Sequence, residues 1–246
     1  MNFLIKDKVA LVTGANRGIG KAIVESFLQH GARKVYLAVR DIKSTQALCQ
    51  QYGDKVVTLA LDVSDAESIK QAVLLTQDVD VVVNNAGVLE IADPLADNAE
   101  VALQHEFDVN VLGLIRIAKA YANTLTSKGS SAFVQLNSVA SIKNFTPFTT
   151  YSASKAASYS VTQGLKDVFA PKGIQVLSVH PGPIKTDMGD KAGFDVADSV
   201  ESVSEGIVAA LAEGEFHLFP DSVAKHFEGA YQSFADGIIN AEQGAE

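Results

Sequence analysis

Short apolar runs rich in β-formers alternate with stretches of helical spacing along nearly the whole chain, and this alternation restricts the fold more than any other feature. VALVT (9–13) precedes a helical pattern from Lys21 to His30. KVYLAV (34–39) precedes helix formers from Ser44 to Gln51, and VVTLAL (56–61) precedes Asp65 to Thr76 behind a Ser64 cap. VDVVVNNAG (79–87) leads into a long stretch rich in Ala, Leu, Val and Ile from Asn98 to about Leu125. SAFVQLNS (131–138) leads to a helix from Tyr151 to about Phe169, ended by Pro171 and Gly173, and IQVLSVHPG (174–182) is the sixth run. Strand, crossover helix and strand in repetition build a parallel sheet, so the pattern predicts an α/β fold: a doubly wound parallel sheet with helices on both faces. A helix near Ser199 to Ala212, a short seventh strand in FHLFP (216–220) and an amphipathic helix from about Ser222 to Asn240 complete it. No linker or repeat intervenes, so residues 1–246 read as one domain with an aperiodic flap over about 183–198.

A hydrophobic content of 47% in 246 residues is ample for one large core. The net charge of −9 offers no basic stripe for neutralising phosphates, which argues against nucleic acid and against an anionic membrane surface. Cys49 is the only cysteine, so no internal disulfide forms and a reducing, cytoplasmic setting is expected. The start MNFLIKDKVALVTG is broken by charge and lacks the core of a signal peptide; no apolar run approaches the ~18 residues of a membrane span. A soluble protein is expected.

Ligands of an open parallel sheet bind beyond the carboxyl ends of its strands. Gly14, Asn16, Arg17, Gly18, Ile19 and Gly20, in TGANRGIG, occupy that edge between the first strand and the first helix. Glycines let backbone approach a pyrophosphate, and a helix N-terminus presents unpaired N–H groups and partial positive charge. The spacing is GxxxGxG rather than GxGxxG. The second strand ends Val39-Arg40-Asp41. With Val39 where a ribose-binding acid would stand, Arg40 and Arg17 together suit a 2′-phosphate and favour NADP(H) over NAD(H). A strand end displaced by one residue would instead make Asp41 the ligand of a 2′-hydroxyl, and the cofactor NAD.

Ser138 ends the fifth apolar run, and Tyr151 and Lys155 stand at i and i+4 on one helix face. A neighbouring ammonium favours a phenolate, so Lys155 is expected to lower the Tyr151 pKa from its ordinary ~10. The five histidines show no metal spacing: His105-Glu106 opens like a zinc-protease motif, but Val109 stands where the second histidine belongs. No metal is expected. No GxSxG elbow for a hydrolase occurs either.

TGANRGIG, LDVSD (61–65), NNAG (84–87), Asn110, Ser138, YSASK (151–155) and PG (181–182) occur in an order and at intervals that resemble the short-chain dehydrogenase/reductase family. The resemblance implies a Rossmann-type sheet of about seven strands. It places Asp62 and Val63 beside an adenine, and Asn85, Ala86 and Gly87 along the cofactor wall. Pro181 and Gly182 would lie near a nicotinamide whose carboxamide meets Ile184 and Thr186. It implies that Ser138 binds a substrate carbonyl, that Tyr151 is the general acid in reduction and the base in oxidation, that Lys155 holds the nicotinamide ribose, and that Asn110 anchors a water in a proton relay. Phe145, Phe148 and Met188 are candidates for an apolar substrate pocket. The tail lacks the glycine-rich strand of many tetrameric relatives, which leaves a homodimer through the fourth and fifth helices, with the tail helix free to cap the pocket instead. The activity implied is NADPH-dependent, carbonyl-reductase-like reduction of ketones or aldehydes. The alternatives are an NAD-dependent secondary-alcohol or sugar dehydrogenase and, further off, a non-catalytic dinucleotide sensor.

Overall fold

Every apolar run becomes a parallel strand. The computed structural model describes residues 2–194 and 197–240, and its strands are β1 (Val9–Thr13), β2 (Lys34–Val39), β3 (Val56–Ala60), β4 (Val81–Asn84), β5 (Ser131–Leu136), β6 (Ile174–Val179) and β7 (His217–Leu218). They form one sheet in the order β3-β2-β1-β4-β5-β6-β7, parallel throughout. Every residue of β1, β4, β5 and β6 is buried, which is why these strands read as unbroken apolar runs instead of alternating. The edge strand β3 buries only Val56 and Leu59 and leaves Val57 and Ala60 exposed.

Helices α1 (Gly18–Gln29) and α8 (Val200–Glu213) cover one face, with Ile23, Phe27, Val203 and Ile207 in its core. Helices α3 (Ala66–Leu75), α5 (Gly113–Thr126) and α6 (Thr149–Phe169) cover the other, around Ile69, Leu114, Ile117, Tyr121 and Tyr159. The remaining helices are α2 (Gln46–Tyr52), α4 (Ala99–Glu106), α7 (Asp187–Lys191) and α9 (Ser222–Phe234). Among the described residues no helix is long and apolar enough to cross a membrane.

Four expectations are corrected. The first helix begins at Gly18 rather than Lys21, so the last two loop glycines already belong to its first turn. The stretch from Asn98 is not one helix: Phe107–Leu112 is wound as a π-helix between α4 and α5. Wide turns of this kind re-aim side chains without ending a helix, and here Glu106 and Asn110 both bond the loop after β4. The flap is less irregular than its sequence. It contains α7, capped by Thr186, whose Oγ1 accepts the Gly189 N–H at 3.1 Å, and its ends meet in a bridge between Ile184 and Asp198; residues 195 and 196 of the flap lie outside the described residues. The tail helix ends at Phe234 and continues as a π turn over Ala235–Ile239.

Candidate active site

After β3 the chain returns past β1 to lay β4 on its other side, so successive crossovers leave β1 and β4 in opposite directions and open a crevice at their carboxyl ends. A cleft of about 570 Å³ fills it. Gly14, Asn16, Arg17, Gly18, Ile19 and Gly20 line one end; Arg40, Asp62, Val63, Asn85, Ala86 and Gly87 continue the wall.

The glycine loop is fixed from behind. Thr13 Oγ1 accepts the N–H groups of Asn85 and Ala86, both at 2.9 Å, and Asn85 Nδ2 donates to Thr13 O at 2.8 Å. Gly14 holds φ at +65°, a region that favours glycine. A Cβ on Gly20 would collide with the Gly14 carbonyl and lie 2.5 Å from Asn85 Nδ2. Arg17, the residue before α1, makes no capping bond with its side chain, and the first turn carries no acid, so its N–H groups face the cleft free to meet an anion. The loop therefore fits a dinucleotide pyrophosphate.

Arg17 and Arg40 both line the cleft. Arg17 Nη1 lies 2.8 Å from Asp187 Oδ2, joining the glycine loop to the flap. Asp41 also reaches the cleft, but its carboxylate accepts the Lys43 N–H at 2.9 Å and caps the turn after β2. Asp62 Oδ1 accepts both the N–H and the hydroxyl of Ser64, at 2.9 and 2.7 Å. The Ser64 hydroxyl, aided by the Arg40 charge, holds the Asp62 carboxyl below the ordinary range.

Ser138, Tyr151, Lys155, Pro181, Gly182, Ile184 and Thr186 line the same cleft. Lys155 is buried; its ammonium donates to Leu136 O at 2.7 Å and lies 5.7 Å from the centre of the Tyr151 ring. The Ser138 hydroxyl accepts the Ala140 N–H at 3.1 Å and donates to Pro181 O at 3.3 Å. Burial, not charge, dominates the titration of this pair. It pushes the Tyr151 phenol above its ordinary value, against the pull of the Ser138 hydroxyl, and it brings Lys155 down to about 8. The expected lowering of Tyr151 by Lys155 is thus reversed, because burial disfavours the phenolate and is the largest influence on the phenol.

Asn110 is absent from the lining of the cleft and stands behind its wall. Its Oδ1 accepts the Val88 N–H at 2.9 Å, and its Nδ2 donates to Val88 O and Ser154 Oγ, both at 3.0 Å. Phe145, Phe148 and Met188 line the cleft as well. The Phe148 ring packs edge-on against Phe194 at 5.9 Å, and Phe145 meets Phe227 of α9 at 6.3 Å. The tail helix does reach the pocket, through Val223. Buried Asp221 holds it there: Oδ1 accepts the Ala224 N–H at 2.9 Å, and Oδ2 accepts the Gly182 N–H at 2.7 Å. Val88, Leu89, His105, Phe194 and Val223 also line the cleft and escaped the sequence reading, since nothing local distinguishes them from core or surface residues.

The profile of the short chain dehydrogenase family matches residues 8–196. An uncharacterized oxidoreductase of Staphylococcus aureus is 30% identical over 219 residues, covering 85% of this chain and 93% of the relative. One from Staphylococcus saprophyticus is 31% identical over the same shares. A short chain dehydrogenase from Burkholderia cenocepacia, solved in complex with NADP, superposes with a TM-score of 0.87 at 28% identity, over 96% of this chain and 99% of that one. A short-chain dehydrogenase from Streptomyces avermitilis gives a TM-score of 0.84 at 27% identity, over 96% of each chain. The chain belongs to the short-chain dehydrogenase/reductase family of NAD(P)-dependent oxidoreductases.

Proposed function

We propose that the protein reduces apolar ketones or aldehydes to alcohols with NADPH, and runs the reverse oxidation when NADP is supplied. The observation that carries this reading is the convergence of Ser138, Tyr151 and Lys155 on one cleft that the glycine loop and Phe145, Phe148 and Met188 also line. Arg17 and Arg40 would hold the 2′-phosphate, Asp62 and Val63 the adenine, and Ile184 and Thr186 the carboxamide. When bound, the nicotinamide supplies hydride to the carbonyl carbon. The carbonyl oxygen then gains negative charge, and two hydroxyl donors serve it: Ser138 orients and stabilises it while Tyr151 gives up its proton. Burial keeps the Tyr151 phenol protonated, and a positive charge beside it would ease the loss of that proton to the developing alkoxide. Lys155, anchored on Leu136 O, presents a positive charge to Tyr151 and to ribose hydroxyls. Asn110 fixes the wall loop through Val88 and so holds the relay geometry from behind.

The experiment follows nicotinamide absorbance with a panel of apolar ketones, comparing wild type with Tyr151→Phe. The variant is expected to lose at least about 100-fold in kcat with cofactor affinity retained. Full activity in the variant overturns the mechanism. Asp41, beside Arg40 at the cleft mouth, favours a second reading, an NAD-linked alcohol or sugar dehydrogenase; a higher kcat/KM with NADH than with NADPH would select it. We further propose a single-domain, cytoplasmic homodimer joined through the fourth and fifth helices of the sequence pattern, which are the helical stretch from Ala99 to Thr126 and α6, where Val101, Leu112 and Val168 are exposed, to be checked by the mass of the particle in solution.

A further inference from the structure

Gly113 closes the π turn: its N–H donates to Asp108 O, five residues back. Its missing side chain also lets the start of α5 lie against the loop after β3, since a Cβ there would stand 3.0 Å from Val63 Cγ2 and 3.4 Å from Val63 O. Arg116, almost one turn further on, leans back over the same turn, as helix side chains do. Its Nη1 donates to Asp108 O at 3.2 Å and to Val63 O at 3.4 Å, and its Nη2 lies 2.8 Å from Asp108 Oδ1. The Arg116 side chain is 29% exposed, so this fork is partly sheltered from water and its charge-assisted bonds are less screened than those of a surface pair.

The loop that Arg116 reaches has little other support. It follows β3, the edge strand, which has a neighbour on one side only. Its remaining hydrogen bonds are local: Asp62 Oδ1 accepts twice from Ser64, Ser68 Oγ of α3 accepts the Asp62 N–H at 3.0 Å, and the Asp65 N–H donates to Asp62 O at 3.1 Å. These close the loop on itself and on the helix that follows. Among the described residues, the Arg116 fork is the hydrogen bond that ties Asp62–Ser64 to the helices across the cleft. Val63 and Asp108 both line the cleft, whereas Arg116 does not. The π turn also carries Asn110, whose side chain holds Val88. The loops after β3 and β4, two parts of one cleft wall, are thus both fastened to a single six-residue turn.

We propose that Arg116 is a positioning residue for the cofactor: without touching it, the guanidinium fork pins the Val63 carbonyl to the π turn and so holds the loop in place for an adenine. A planar guanidinium suits the task, because it donates in fixed directions to the Val63 carbonyl, the Asp108 carbonyl and the Asp108 carboxylate together, which a lysine ammonium on a flexible stem does not. This role rests on the reading of Asp62 and Val63 as the adenine wall.

The test is Arg116→Met, which keeps an apolar stem of similar reach and removes the donors. Wild type and variant are titrated calorimetrically with ADP and with 2′,5′-ADP, and assayed with NADPH and the best ketone of the panel. Both nucleotides are expected to bind about 10-fold more weakly to the variant, and KM for NADPH to rise by a similar factor, with kcat within about twofold of wild type. Unchanged nucleotide affinity in the folded variant overturns the proposal, and so does a fall in kcat as large as the rise in KM, which would mark a general loosening of the helix. Arg116→Lys keeps the charge beside Asp108 without the fork and is expected to remain several-fold weaker than wild type for both nucleotides; wild-type affinity in it overturns the proposal even if the Met variant fails to fold. If ADP binds wild type as tightly as 2′,5′-ADP and Arg116→Met weakens both alike, the preference for NADPH falls and the role of Arg116 stands. If wild type binds neither nucleotide, the adenine reading falls and the proposal with it.

Discussion

Tyr151 and Lys155 were legible because their relation is local: four residues on a helix share a face whatever the rest of the chain does. Arg40 is legible for a similar reason, as the residue after a strand end, and it carries the cofactor preference proposed above. Arg40→Asp is expected to lower kcat/KM for NADPH by about 10- to 100-fold while that for NADH holds or rises; an unchanged ratio in steady-state assays removes Arg40 from the role. Glu106 and His180 were not legible, because their partners are remote in sequence. His180 Nδ1 lies 2.9 Å from Ser141 Oγ and 3.3 Å from Ser138 O, and Nε2 lies 2.7 Å from Ser178 Oγ. A carbonyl only accepts, so Nδ1 carries the proton and Nε2 receives the Ser178 hydroxyl. The neutral ring thereby ties the Ser138 turn to β6, a role that no spacing in VHPG announces.

At the scale of elements, strand and helix order followed from periodicity, whereas the features that shape the cleft did not. The π turn of Phe107–Leu112 preserves helical composition and so looks like plain helix in sequence. The tail helix, which the sequence left free to cap the pocket, reaches the cleft through Val223, and the anchor that brings it there, Asp221 joining its N-terminus to Gly182, is what the sequence did not announce. Asp221→Ala removes that cap and leaves the Gly182 N–H unpaired. A loss of about 2–3 kcal/mol in denaturant unfolding is expected, with a raised KM for bulky ketones as Val223 and Phe227 lose their footing. Asp221→Asn, which keeps an oxygen for the cap, is expected to retain most of the stability. Equal losses in both variants would show that the carboxylate charge, not the cap, matters.

Across the whole molecule, buried histidines link stability to pH. Burial lowers His180 to about 3 and His217 to about 4, against an ordinary value near ~6.5. Between these values the unfolded chain binds protons that the folded chain refuses, so stability is fully present above about pH 6.5 and is lost as the pH falls. Each ring contributes up to about 1.4 kcal/mol per pH unit in that window. Thermal unfolding followed from pH 7 to 5 is expected to show this fall, and His217→Gln to flatten it by about one proton; equal slopes would remove His217 from the account. The sheet has a mechanical consequence as well. β1 meets β4 through Ala10 with Val81, Leu11 with Val82 and Val12 with Val83, the shortest pairing between interior strands. This seam divides the portion of the sheet built first from the portion built afterwards. A dinucleotide lying across its end would act as a brace, gripping Gly14–Gly20 and Arg40 on one bank and Asn85–Gly87 and Lys155 on the other, so both banks would be expected to resist proteolysis together once it is bound.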